Sequence, residues 1–283
     1  MRDQITIYEV GPRDGLQNEK TMIATKDKIK LVNELTKCGF KKIEVTSFVS
    51  PEWVPQMADA ADVLDGIVRS ENVTYAALTP NMKGFQRAEA ARANEVAIFA
   101  AASEGFSKAN INCSIDESLA RFEPILKAAR LSGISVRGCV SVMTDCPYDG
   151  DVDPRVVVRV AKALSDMGCH EVGLADTIGA ATPEKVATVI DAVLEVLPAG
   201  KLSSHFHDTN GLALENVDVS LEKGIRIFDS SIGGLGGCPY APGATGNVAT
   251  EAVVDLVTKR GYETGLDHEK LVEVAQFAKE LRS

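Results

Sequence analysis

The chain lacks any apolar stretch approaching the roughly 18 uncharged residues of a membrane span, so no membrane partner is expected. It also lacks an excess of positive charge. Its 30 Lys and Arg stand against 40 Asp and Glu, a net charge of −10. That balance argues against a nucleic-acid partner, and an anionic ligand must be met by a local positive patch. No Cys-x-x-Cys pair occurs among Cys38, Cys113, Cys139, Cys146, Cys169 and Cys238; scattered thiols of this kind read as reduced core filler. No secretory leader precedes the first strand pattern, which begins at Ile5, and no lipid or address motif closes the chain. The expected location is the cytoplasm, or an organellar matrix if the chain is a processed form. The first strand–helix turn has no Gly-x-Gly-x-x-Gly, and the glycine-rich segment 233–246 has no Gly-Lys-Ser/Thr ending. The first absence argues against a doubly wound open sheet, and the second excludes a Walker-type phosphate loop.

What remains is an ordinary globular composition, 283 residues with 45% apolar and 25% charged, long enough for the ~250 residues of a (β/α)8 barrel. Short β-rich runs fall at Ile5–Val10, Ile43–Val49, Val73–Leu78, Val96–Ala101, Ser135–Val142, Glu171–Ala175, Leu202–Phe206 and Ile225–Ile232. Between them, Lys26–Cys38, Ala58–Val68, Met82–Ala93, Ile115–Leu131, Pro154–Met167, Pro183–Leu197, Ala213–Lys223 and Val248–Lys259 read as amphipathic helices. Pro124 is positioned to bend the Ile115–Leu131 helix. Thr182-Pro183 reads as a helix start, and Gly39, Gly133, Gly168 and Gly224 as helix stops. Apolar strands alternating with helices imply a parallel sheet. Eight such units most simply close into an α/β (β/α)8 TIM barrel, a single domain over residues 1–283, with Leu271–Leu281 as an additional C-terminal helix. A doubly wound open sheet is the alternative.

In a parallel barrel the chemistry sits at the carboxyl ends of the strands. His205 and His207 lie two apart on one strand and so face the same side. Barrel closure makes the last strand a neighbour of both this strand and the first, which brings Asp14 and Asn247 within range. Two imidazoles, a carboxylate and an amide oxygen would leave about two positions of an octahedral shell for a chelating substrate, and they suit Mg²⁺ or Mn²⁺ better than structural Zn²⁺. An isolated His-x-His is equally compatible with two buried, hydrogen-bonded histidines; the converging Asp14 and Asn247 favour the metal. Arg13 at the same strand end suits a developing oxyanion. Glu44, inside an apolar strand, needs a partner, and Arg13 is the nearest candidate. Asp176 reads equally as a base or a cap, Asp208 as a cap, and His170 as packing or surface. Cys238, between Gly237 and Pro239 on a segment with six glycines, is a candidate acid/base or closing element.

The stretches Gly11-Pro12-Arg13-Asp14-Gly15-Leu16-Gln17-Asn18-Glu19, Ile43–Pro51, His205-Phe206-His207-Asp208 and Ser231–Tyr240 together resemble the 3-hydroxy-3-methylglutaryl-CoA lyase family, along essentially the full length. Isopropylmalate and homocitrate synthases share the Arg-Asp-Gly and His-x-His elements but lack the Gly-Gly-Cys-Pro-Tyr loop. The resemblance implies a TIM barrel, commonly dimeric, that cleaves an acyl-CoA substrate, 3-hydroxy-3-methylglutaryl-CoA, to acetyl-CoA and acetoacetate with Mg²⁺ or Mn²⁺. It implies the metal at Asp14, His205, His207 and Asn247. Arg13 would stabilise the enolate, and Cys238 and His205 would move protons. Glu44, Asp176 and Glu251 would support the site, and Arg13, Gln17, Ser47 and Thr177 would contact the substrate. The general base stays open between Asp14, Asp176 and a histidine. A Claisen-type synthase and a non-catalytic acyl-CoA-binding barrel are the competing readings.

Overall fold

The computed structural model describes residues 3–238 and 241–282, with Cys238 and residues 241–245 described by backbone alone. Eight parallel strands, β1 (Thr6–Glu9), β2 (Lys42–Ser47), β3 (Thr74–Leu78), β4 (Glu95–Ala101), β5 (Ser135–Ser141), β6 (Glu171–Asp176), β7 (Leu202–Phe206) and β8 (Ile227–Ser230), pair in chain order, and β1 pairs with β8 to close the barrel. Both faces of the strands are covered. Every residue of β6 and of β7 is buried, and each large apolar side chain removed from water contributes about 1.5–3 kcal/mol.

Outside the barrel lie α1 (Thr25–Cys38), α2 (Ala60–Gly66), α3 (Met82–Ala90), α4 (Glu104–Ile111), α5 (Ile115–Ser132), α6 (Pro154–Met167), α7 (Pro183–Leu194), α8 (Ala213–Glu222), α9 (Thr250–Lys259) and α10 (His268–Glu280). Thr182 caps α7 by accepting the Lys185 amide, and the four glycines read as helix stops all adopt positive φ. Pro124 does not divide α5, which runs as one 18-residue helix opened by a capping box between Ser114 and Glu117. Helices α3 and α7 end three residues earlier than read, at Ala90 and Leu194, α10 starts three earlier, at His268, and three further features depart from the sequence reading. Helix α4 is additional: Ser103 accepts the Phe106 amide and starts a helix on a segment whose apolar pattern is weak. Helix α2 is shorter than Ala58–Val68 at both ends, and a separate 3-10 turn at Pro55–Met57 precedes it.

The third departure shapes the site. Val248 and Ala249 are extended, not helical. The Val248 amide donates to the Phe206 carbonyl, the Asp208 amide to the Gly246 carbonyl and the Ser231 amide to the Val248 carbonyl. Residues 246–249 thus stitch the ends of β7 and β8 together, with His207 bridged to Asn247 and Ser231 to Ala249. Gly246 has to be glycine here, since a Cβ would lie 2.4 Å from the Gly236 carbonyl carbon. The extra helix α10 packs beneath this region. The Ala275 carbonyl approaches Gly233, and Arg282 pairs with Glu19 at 2.7 Å.

Candidate active site

The side chains picked out at the strand ends converge by three different routes. After β1 the chain winds into a single π turn, Gly11–Gly15, in which the amides of Arg13, Asp14 and Gly15 all donate to the Val10 carbonyl, at 3.1, 2.8 and 3.2 Å. The turn swings Arg13 and Asp14 over the barrel mouth. His205 lies in β7, in register with Ala175 of β6 and Asp229 of β8, and His207 follows one residue past the strand. Asn247 arrives on the stitch.

The two imidazole rings stand 5.2 Å apart. Nε2 of His205 is 4.0 Å and Nε2 of His207 3.7 Å from Asp14 Oδ2. One donor atom from each of Asp14, His205 and His207 lies within 4.8 Å of the others, a group able to hold a metal ion. Asn247 Nδ2 donates to Asp14 Oδ2 at 2.8 Å, while its Oδ1 is buried without a hydrogen-bond partner. A buried amide oxygen left unpaired is costly, and this one belongs to a residue whose other amide atom touches the metal-capable carboxylate.

The charges around the group are arranged in opposition. Arg13 Nε donates to Glu44 Oε2 at 2.6 Å and its Nη1 to Asp14 Oδ1, so the expected Arg13–Glu44 pair is present. Burial alone would raise the Asp14 carboxyl. Arg13 and the two imidazoles outweigh it and hold Asp14 well below the ordinary carboxylate range. Burial wins at Glu44, which stays raised despite Arg13. Burial lowers the His205 imidazole, but the hydrogen bond and charge of Asp229 more than reverse that, and it ends raised. Asp176 is raised by burial, partly opposed by the amides of Ala181 and Ala180, which donate to its two oxygens at 3.0 and 3.2 Å.

A family model described as HMGL-like matches residues 4–278 of the chain. The chain is 56% identical over 274 residues to the mitochondrial hydroxymethylglutaryl-CoA lyase of Bos taurus, covering 97% of this chain and 84% of that protein. The chain belongs to the HMGL-like family. The crystal structure of an HMG-CoA lyase from Brucella melitensis superposes with a TM-score of 0.98 at 55% identity, covering 99% of both chains. An HMG-CoA lyase from Acinetobacter baumannii, solved in complex with coenzyme A and 3-methylmalate, gives a TM-score of 0.94 at 38% identity over 99% of this chain and 92% of that one.

Within this HMGL-like barrel the remaining candidates fall in distinct places. Glu251, at the start of α9, accepts the Gly233 amide at 2.9 Å and so holds the glycine turn instead of joining the metal-capable group. Asp208 accepts the Ala213 amide at 3.1 Å at the start of α8, although the N-cap position itself is Leu212. His170 bridges the Val136 carbonyl and Glu95 away from the mouth. The Oε1 of Gln17 is buried without a partner. Ser47 is buried at the end of β2 and accepts the Val49 amide, and Thr177 accepts the Val142 amide at 2.9 Å. Cys238 lies on a two-stranded antiparallel ribbon, its backbone opposite Ala241; its side chain lies outside the described residues. Burial pushes the thiols of Cys38, Cys139 and Cys169 up to about 12, which keeps them unreactive.

Two features near the site escaped the sequence reading. Val142 has φ +54°, a strained conformation for a β-branched residue, at the end of β5 where its amide meets Thr177. Glu9, fully buried at the end of β1, accepts the amides of Gly11 and Ile232 on Oε1 and the Thr250 hydroxyl on Oε2, at 2.7, 2.9 and 2.7 Å. It ties the π turn to the glycine segment and to α9. The signal carried by Glu44, a carboxylate within an apolar strand, is present at Glu9 too, the last residue of β1.

Burial raises the Glu9 carboxyl from 4.5 to about 7. Between those values the folded chain keeps a proton that the unfolded chain has released. The stability this group contributes is therefore complete below pH 4.5 and is lost as pH rises through about 7. Glutamine at position 9 removes the dependence, because its oxygen still accepts both amides and the Thr250 hydroxyl turns to accept from its nitrogen. The unfolding free energy of Glu9→Gln minus that of the parent should rise by about 3 kcal/mol between about pH 5 and pH 8 in urea titrations. A flat difference overturns the assignment.

Proposed function

We propose that the chain is a hydroxymethylglutaryl-CoA lyase that splits 3-hydroxy-3-methylglutaryl-CoA into acetyl-CoA and acetoacetate, with the barrel as one catalytic domain. The observation that carries this reading is a guanidinium, Arg13, fixed between a buried carboxylate and a carboxylate of a metal-capable group at the mouth of a barrel. Asp14, His205, His207 and the orphaned oxygen of Asn247 supply a mixed nitrogen and oxygen donor set, which fits Mg²⁺ or Mn²⁺. When bound there, such an ion would acidify the tertiary hydroxyl and orient the substrate.

The chain's own groups account for the rest. Cleavage of the C2–C3 bond requires the hydroxyl proton to leave and the electron pair to pass into the thioester carbonyl. Arg13 holds positive charge where the enolate oxygen forms, and it arrives already oriented by Glu44. Asp14 is committed as a ligand and holds no proton at neutral pH. Asp176, raised by its burial at the end of β6, is the carboxylate better matched to accept the hydroxyl proton. Cys238, on the ribbon after β8, is assigned the proton that completes acetyl-CoA. Gln17, Ser47 and Thr177 are assigned to substrate contacts. The homodimer and the cytoplasmic location belong to the same proposal, the first to be checked by sedimentation.

The test is incubation with 3-hydroxy-3-methylglutaryl-CoA and Mg²⁺ or Mn²⁺. Equal amounts of acetoacetate and acetyl-CoA are expected. Condensation of acetyl-CoA with a 2-oxo acid in place of cleavage would assign a synthase, and acyl-CoA binding without turnover would assign a binding module.

A further inference from the structure

Beneath the metal-capable group a row of buried charged side chains crosses the barrel interior. Asp229 of β8 lies in register with His205 of β7, and its Oδ2 is 3.1 Å from His205 Nδ1. Its other oxygen, Oδ1, accepts from Arg137 Nη2 at 2.6 Å. The same Nη2 donates to Ser203 at 2.7 Å, and Arg137 Nε donates to Glu171 at 2.6 Å, so the guanidinium is gripped on three sides. It also lies over the Tyr8 ring, 4.2 Å from the centroid. The backbone makes room for it: at Gly173 a Cβ would come within 3.1 Å of Arg137 Nη2 and 3.3 Å of Ser203 Oγ. Buried ion pairs contribute little net stability over apolar packing, so this row calls for another purpose.

We propose that Asp229 is a positioning residue that, held in place by Arg137, fixes the proton of His205 on Nδ1. The inference rests on the metal-site reading above and extends it to two residues on β5 and β8. A carboxylate has only acceptors to offer, so the nitrogen facing it must carry the proton. The neutral ring then has its lone pair on Nε2, the atom that faces Asp14. Arg137 has only donors and engages Oδ1, so the carboxylate cannot rotate away without breaking that contact.

The substitution Asp229→Asn isolates this role, because the side chain keeps its shape. Arg137 requires an oxygen, so the amide turns its nitrogen towards His205. Nδ1 must then accept, and the proton moves to Nε2, where it blocks a ligand. In the metal-free protein labelled with 15N-histidine and held at alkaline pH, the parent should show His205 protonated on Nδ1 and the variant on Nε2. Mn²⁺ alone, titrated into the same samples and followed by electron paramagnetic resonance, should bind the variant about 10–100-fold more weakly. Adding Arg137→Met to Asp229→Asn lets the amide oxygen turn back to His205; the tautomer and much of the Mn²⁺ affinity should return, a rescue that a merely structural role would not give. An Asp229→Asn protein that keeps the parent tautomer and binds Mn²⁺ within about twofold of the parent overturns the proposal. A double variant that fails to regain the parent tautomer overturns the part given to Arg137. If the parent itself does not bind Mn²⁺, the metal reading falls, while the tautomer comparison still decides the role of Asp229.

Discussion

Replacing Arg13 with glutamine should lower kcat/KM for 3-hydroxy-3-methylglutaryl-CoA by at least about 10³-fold and leave the affinity for Mn²⁺ unchanged or tighter. Removal of a single donor at a developing oxyanion costs about 10²–10³ in rate. Arg13 adds a full charge, and it is oriented through Nε by the buried Glu44 at 2.6 Å. The same residue also competes with any cation for Asp14, to which its Nη1 donates. Withdrawing it therefore disables the chemistry without weakening the ligand group, and that opposite pair of effects identifies its place. Lysine should not rescue, since a single ammonium cannot reproduce the fork that meets Glu44 and Asp14 together. Steady-state kinetics and a Mn²⁺ titration on the same preparation check both halves. Turnover within tenfold of the parent would remove Arg13 from the mechanism.

Asp14→Asn should produce the reverse pattern. Asp14 is the one carboxylate in the proposed donor set, and Arg13 and both imidazoles hold it well below the ordinary carboxylate range. An amide of the same shape preserves packing but withdraws the negative charge, and its nitrogen meets the Asn247 amide as a second donor. Mn²⁺ affinity should fall by more than about 100-fold, beyond what losing a supporting hydrogen bond does to a metal site. Chelation of the parent should abolish acetoacetate formation and added Mn²⁺ should restore it; in Asp14→Asn the same addition should not. Full activity in the chelated parent would dismiss the metal from the reaction.

The barrel was legible because its strands are apolar on both faces and its helices are punctuated by caps and glycines, signals that act over a few residues. His205 and His207 were legible for the same reason, since two positions along a strand place both rings on one side whatever the rest of the chain does. The Arg13–Glu44 pair followed from the cost of leaving a carboxylate alone in a buried strand. Glu9, Arg137 and Asp229 are likewise charged residues within strands. Their partners also lie far away in the chain, 92 positions between Arg137 and Asp229 and 241 between Glu9 and Thr250. The π turn at Gly11–Gly15 has no local signature, because the groups its glycines lie against, Ser231, Ile232 and Leu235, come from the far end of the chain. Val248 and Ala249 were read as helix because their side chains permit it; bonds to Phe206 and Ser231 decide otherwise.

Closure of β1 on β8 has a consequence for the birth of the molecule. The carboxylate at 14 and the amide at 247 that touches it are separated by 233 positions, so a ribosome releases the first long before it makes the second. A growing chain can bury much of its interior while still holding only fragments of the ligand set. On the proposed reading, the capacity to capture an ion would therefore emerge abruptly, when the end of the sequence folds back against its beginning.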